Sequence, residues 1–196
     1  MRIKPISIVA FLLTLVAVLL VWVGFWVPRW YVLLRSGGDI KHWYGLWHQQ
    51  RCSSRGCGET SSFTRIEGGK EFFFISKVFY SLAAVLVLLA FGLHVLYALW
   101  RKARVRQVAI YMLCGAGLFG LLSMLIFVAR YDQMVEYKGQ DVELGYSFTL
   151  SLLGSLFCLL ASAFTAWASY KKATFNEDDE DDCKEITHEM QPGDMD

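Results

Sequence analysis

Four long apolar blocks dominate this 196-residue chain and leave few folds open to it. The first runs from Ile6 to Val27 without a charge, with only Ser7 and Thr14 polar. The second spans about 72–100 and carries one charge, Lys77. The third, 108–129, and the fourth, 146–170, carry none. At about 1.5 Å rise per residue each block is long enough to cross a hydrocarbon layer of about 30 Å. A cleaved signal peptide has a shorter apolar core and small residues at its cleavage site. Here bulky Trp22, Phe25, Trp26, Pro28 and Trp30 follow instead, so the first block is expected to be retained as a helix. An even number of spans puts both termini on one side of the bilayer.

Charge excludes further classes. The formal net charge is +1 and charged residues make up 19% of the chain, so no dense positive face exists to neutralise nucleic-acid phosphates. Neither a soluble enzyme nor a disulfide-rich mini-protein collects its apolar residues into four blocks. Orientation follows from charge density. With the termini inside, four of the eight residues from Trp100 to Gln107 are basic and lie directly between two helix ends, and Lys171-Lys172 add to the same side. The termini are therefore expected in the cytoplasm.

The connections differ in kind. Outer loop 28–71 is the only soluble stretch long enough to fold, with Gly37-Gly38, Gly56, Gly58 and Gly68-Gly69 as turn signals. Runs such as Trp30–Leu34 and Ser62–Ile66 read as strands, so a small antiparallel sheet is expected. Such a sheet is marginal alone and needs support from helix ends or a disulfide. The inner loop, 101–107, forces a helix hairpin, and outer loop 130–145 is short. Residues 176–196, with six consecutive acids from Glu177 to Asp182, read as a disordered cytoplasmic tail.

Cys52 and Cys57 lie in the first outer loop. An oxidising compartment favours a disulfide closing a tight hairpin. Two free thiols, or a zinc site shared with His42 and His48, are the alternatives. Cys114 and Cys158 fall inside spans and read as buried thiols. His94 reads as an interior hydrogen-bonded residue, and Lys77 as a snorkelling cation or one tied to a loop carboxylate. Small residues on the third and fourth blocks, such as Gly117, Gly120, Gly154 and Ser155, permit close helix approach. No phosphate loop, nucleophile elbow or metalloprotease helix is present, so neither enzyme activity nor a cofactor is expected.

Order and spacing add a resemblance. Trp30, then Gly45-Leu46-Trp47, then Cys52 and Cys57, all after a first span, resemble the signature of the claudin superfamily, which includes peripheral myelin protein and the epithelial membrane and lens fibre proteins. Pro28-Arg29-Trp30 is similar to the end of the first helix in claudins, and Gly145-Tyr146-Ser147-Phe148 to the start of the fourth in the epithelial membrane proteins. Two features depart from the pattern: four residues separate Trp47 from Cys52, and the chain ends Asp194-Met195-Asp196. The resemblance implies a membrane all-α four-helix bundle with a small extracellular antiparallel β-sheet, over residues 1–175. It implies that Trp30, Gly45, Leu46 and Trp47 fill the seam between sheet and bundle. Arg51, Arg55 and Arg65 are then the candidate partner surface. The function it implies is structural: lateral and cell-to-cell contact at the plasma membrane or a junction, with other membrane proteins or another copy as partner. The alternatives are an auxiliary subunit of an ion channel and a paracellular pore with anion preference, since the first loop is net positive.

Overall fold

A computed structural model of the protein describes residues 5–35, 40–53, 56–60, 71–100, 102–130 and 140–189. Four helices form the bundle: α1 (Pro5–Trp26), α2 (Glu71–Trp100), α3 (Ala103–Val128) and α4 (Tyr146–Glu189). Each contains a stretch long and apolar enough to cross a membrane, the one in α4 ending at Tyr170. Pro5 opens α1, where a missing amide hydrogen is no loss, and Pro28 follows its end.

The bundle is apolar outside and small or polar inside. Leu12, Leu19, Leu89 and Leu125 lie exposed on its flanks, while Ala17, Ala84, Ala90, Ala116, Ser76 and Ser123 are buried. Lipid tails are as apolar as leucine, so helices in a bilayer gain little from burying leucine against leucine. They associate through close backbone approach and interhelical hydrogen bonds. Both occur here. A Cβ on Gly154 would stand 2.9 Å from the Val21 amide nitrogen, which brings α4 hard against α1. A Cβ on Gly117 would meet the Ser155 carbonyl oxygen at 3.0 Å, closing α3 onto α4. Between α2 and α3, Ser123 Oγ donates to the Ser76 carbonyl at 2.8 Å, and Ser76 Oγ lies 3.0 Å from the Ser123 carbonyl and 2.9 Å from Ser123 Oγ. His94 Nδ1 donates to the Ala90 carbonyl at 3.1 Å, while Nε2 lies 3.4 Å from Thr165 Oγ1. This joins α2 to α4.

At one end of the bundle stands a five-stranded antiparallel sheet: β1 (Tyr31–Arg35), β2 (Ile40–Tyr44), β3 (Gln49–Ser53), β4 (Gly56–Thr60) and β5 (Gln140–Leu144). The order is β4-β3-β2-β1-β5. Four strands form a meander within the first loop, and the fifth comes from the second loop to pair with β1, Tyr31 opposite Leu144 and Arg35 opposite Gln140.

Three boundaries differ from the sequence reading. Helix α3 begins at Ala103, not near 108, because alanine, arginine and glutamine are good helix formers and nothing in Arg104–Gln107 breaks a turn. The tail expected to be disordered from 176 is instead helical through Glu189. Neither glycine nor proline occurs between Gly154 and Pro192, and a run of acids carries charge without carrying a stop signal. The second outer loop, read only as short, supplies a strand. The proposed strand Ser62–Ile66 lies outside the described residues.

Candidate functional site at the seam between sheet and bundle

Trp30 sits where α1 gives way to β1, and it is fully buried. Its indole Nε1 donates to the Gly24 carbonyl at 2.7 Å, turning the ring back over the last turns of α1. Three rings meet it edge-on: Tyr80 of α2 at 5.2 Å, Phe127 of α3 at 5.6 Å and Phe148 of α4 at 5.9 Å between centroids. Edge-to-face contact suits the aromatic quadrupole and adds to the burial itself. One side chain thus touches all four helices. Its backbone is equally committed: the Trp30 amide donates to the Tyr44 carbonyl, and the Trp30 carbonyl accepts from the Gly145 amide, both at 2.8 Å. Tyr80 completes the arrangement by donating its hydroxyl to the Val21 carbonyl at 3.0 Å.

The Gly45-Leu46-Trp47 segment links β2 to β3 and dips toward the bundle. Leu46 is fully buried. A Cβ on Gly45 would lie 2.5 Å from the Cα of Pro28, so close backbone approach excludes any side chain there. Gly145 is constrained likewise, facing the carbonyl of Arg29. Trp47 is half-buried, its ring 5.8 Å from Phe25. Lys77 Nζ lies 5.5 Å from the Trp47 ring and 4.8 Å from the Phe73 ring, so the cation predicted to snorkel or to seek a carboxylate rests over two aromatic faces. Above them Tyr31 stacks on its register partner Tyr44 at 4.7 Å with planes 2° apart. The Arg29 guanidinium packs 3.7 Å from the Trp43 ring centre and 5.1 Å from that of Tyr146.

The remaining candidates occupy the far half of the sheet. Cys52 and Cys57 are direct register partners on β3 and β4, one step from the Ser53–Gly56 pair that bounds the turn. Gly56 takes φ 135°, a conformation that glycine adopts without a Cβ penalty. The two thiols lie outside what the structure describes. Arg51 stands on β3 between His42 of β2 and Gly58 of β4, while Arg55 and Arg65 lie outside the described residues. Among the described residues no group of three or more His, Cys, Asp or Glu side chains could hold a metal ion. Cys114 and Cys158 are free thiols, the latter fully buried.

Sequence reasoning named the motif residues but missed their partners. Tyr80, Phe127 and Gly24 carry no motif. Of these, Tyr80 had a signal, a polar-tipped ring in mid-span whose hydroxyl needs an acceptor. The strand at 140–144 was readable from the alternation of Asp141, Val142, Glu143 and Leu144.

The arrangement is mechanical. Rings, backbone hydrogen bonds and two crowded glycines fix a sheet rigidly to four helix ends. Comparison with known families finds none whose profile matches the chain, and comparison with curated proteins finds no match.

Proposed function

We propose that this chain is a claudin-like plasma-membrane protein, with both termini cytoplasmic, whose outer sheet carries lateral and cell-to-cell contact. The observation that supports it best is the fixed seating of the sheet through Trp30, whose ring reaches every helix of the bundle. A surface held in one pose loses little conformational freedom on meeting a partner, which is what a contact protein needs from a small interface. The register of Cys52 and Cys57 adds support. Directly opposed residues of an antiparallel pair stand about 4.5 or 5.5 Å apart at Cα, and either distance suits a disulfide. In this reading the bridge pins β3 to β4, and Arg51, Arg55 and Arg65 face the partner.

The test is expression in suspension cells that do not adhere. Cells displaying the protein should cluster and concentrate it at their contacts, and Cys52→Ser should remove both effects at equal surface level. Even distribution without clusters, together with a channel recovered by mild-detergent pull-down, would transfer the assignment to an auxiliary channel subunit.

A further inference from the structure

We propose that the turn joining α2 to α3, at the end of the bundle opposite the sheet, binds the phosphate-bearing headgroup of an anionic phospholipid. The cations there are Lys102, Arg104 and Arg106. The first two are exposed. Arg106 is half-buried: its Nη1 donates to the Tyr97 hydroxyl at 3.4 Å, its guanidinium carbon lies 5.5 Å from the Tyr97 ring centre, and its Nε is buried with no hydrogen-bond acceptor. Lys102 Nζ stands 5.9 Å from the Trp100 ring. The exposed Lys102 and Arg104 present their donors to any anion that comes from outside these helices. The sequence has no Asp or Glu from Phe72 to Tyr131, nor from Tyr146 to Asn176. Lys102 makes no side-chain cap to α3, so the positive end of that helix adds to the same field.

Position selects a lipid over a free anion. Helix α3 has 26 residues, about 39 Å, against a hydrocarbon layer of about 30 Å, and its charges, Arg104 and Arg106, all lie in its first turn, the end suited to headgroup level. Arg104 heads the stripe that continues through Val108, Tyr111, Leu118 and Leu125, at helical spacing down one side of α3. Tyr111 is 75% exposed and Leu125 68%, so this stripe faces the acyl chains. Leu99, 72% exposed, and Trp100, 62% exposed, flank the cations at the end of α2. A ligand seated here meets charge at its head and apolar surface along its tails. The protein's own acids are the rival. Helix α4 runs unbroken past Tyr170, which carries Glu177–Asp182 roughly 10–18 Å beyond the end of the apolar span. The acids have Lys171 and Lys172, six and five residues before Glu177 on the same helix, as cations closer in sequence than the α2–α3 turn.

The proposal is independent of the outer-sheet reading, because it uses the opposite end of the molecule. Native mass spectrometry of the full-length protein in detergent, titrated with phosphatidylinositol bisphosphate, phosphatidylserine and phosphatidylcholine, tests it. The two anionic lipids should bind more tightly than phosphatidylcholine. Lys102→Gln with Arg104→Gln, both exposed positions, should weaken them about tenfold or more, and adding Arg106→Gln should weaken them further. Neutralising Lys70 and Lys138 should leave binding unchanged. Equal binding of all three lipids, or equal loss in the Lys70 and Lys138 control, overturns the proposal. So does tight binding of soluble inositol trisphosphate in place of the lipid. Removing residues 173–196 separates the rival: a rise of more than tenfold in lipid affinity would make the acidic segment the resident occupant and refute the assignment.

Discussion

At the scale of single residues, the seam depends on atoms that have no room to move. Gly45→Ala places a methyl group against the Pro28 backbone, which cannot swing aside as a side-chain end can. The cost should be about 1–3 kcal/mol, read as a lower melting temperature of the detergent-purified protein, with little change in helix content. Trp30→Phe removes the donor to Gly24 and part of the ring that Tyr80, Phe127 and Phe148 surround. A larger loss is expected, because a cavity and a lost hydrogen bond combine. Equal stability of wild type and Trp30→Phe would remove Trp30 from its central position. Ser123→Ala removes the bond from Ser123 Oγ to the Ser76 carbonyl while Ser76 Oγ keeps the Ser123 carbonyl as its acceptor, and should destabilise by about 0.6 kcal/mol, the mean for an interhelical hydrogen bond in a bilayer. The motif residues were legible in the sequence because tryptophan and glycine are conspicuous. Their partners were not: Phe127 looks like any lipid-facing phenylalanine until three dimensions set it beside Trp30.

At the scale of elements, the membrane-length stretches were legible, since twenty or more apolar residues with at most one charge admit few other structures, but the extensions of α3 back to Ala103 and of α4 on to Glu189 were not. The strands were harder. β1 declares itself through Val32, Leu33 and Leu34, but β3 and β4 read Gln-Gln-Arg-Cys-Ser and Gly-Cys-Gly-Glu-Thr and show no apolar alternation. Their pairing comes from the turn between them and from neighbouring strands, which single-strand patterns do not encode. The pairing of β1 with β5 is non-local and can be checked directly. Val32 stands opposite Glu143. Val32→Cys with Glu143→Cys should cross-link on mild oxidation. Val32→Cys with Val142→Cys should not, because a one-residue step moves the second thiol to the other face of the sheet. Reversed yields would mean that the register is wrong.

At the scale of the whole molecule, charge and topology divide the protein into two ends. The sheet, Arg29 and Lys77 occupy one, while Lys102, Arg104 and Arg106 occupy the other. If the dense basic turn is cytoplasmic, a membrane-impermeant maleimide applied to intact cells should label Glu143→Cys on β5 and leave Lys102→Cys unlabelled until the membrane is opened. The converse pattern would invert the protein and take the sheet away from the cell exterior.

The fifth strand also fixes a timetable. β1 leaves the ribosome roughly a hundred residues before the strand that covers its flank, an interval of roughly 5–20 s at ordinary elongation rates. Two further helices must enter the bilayer during that wait. Throughout it the nascent chain displays a bare row of amides and carbonyls, so chaperones meet this protein first as an unfinished sheet.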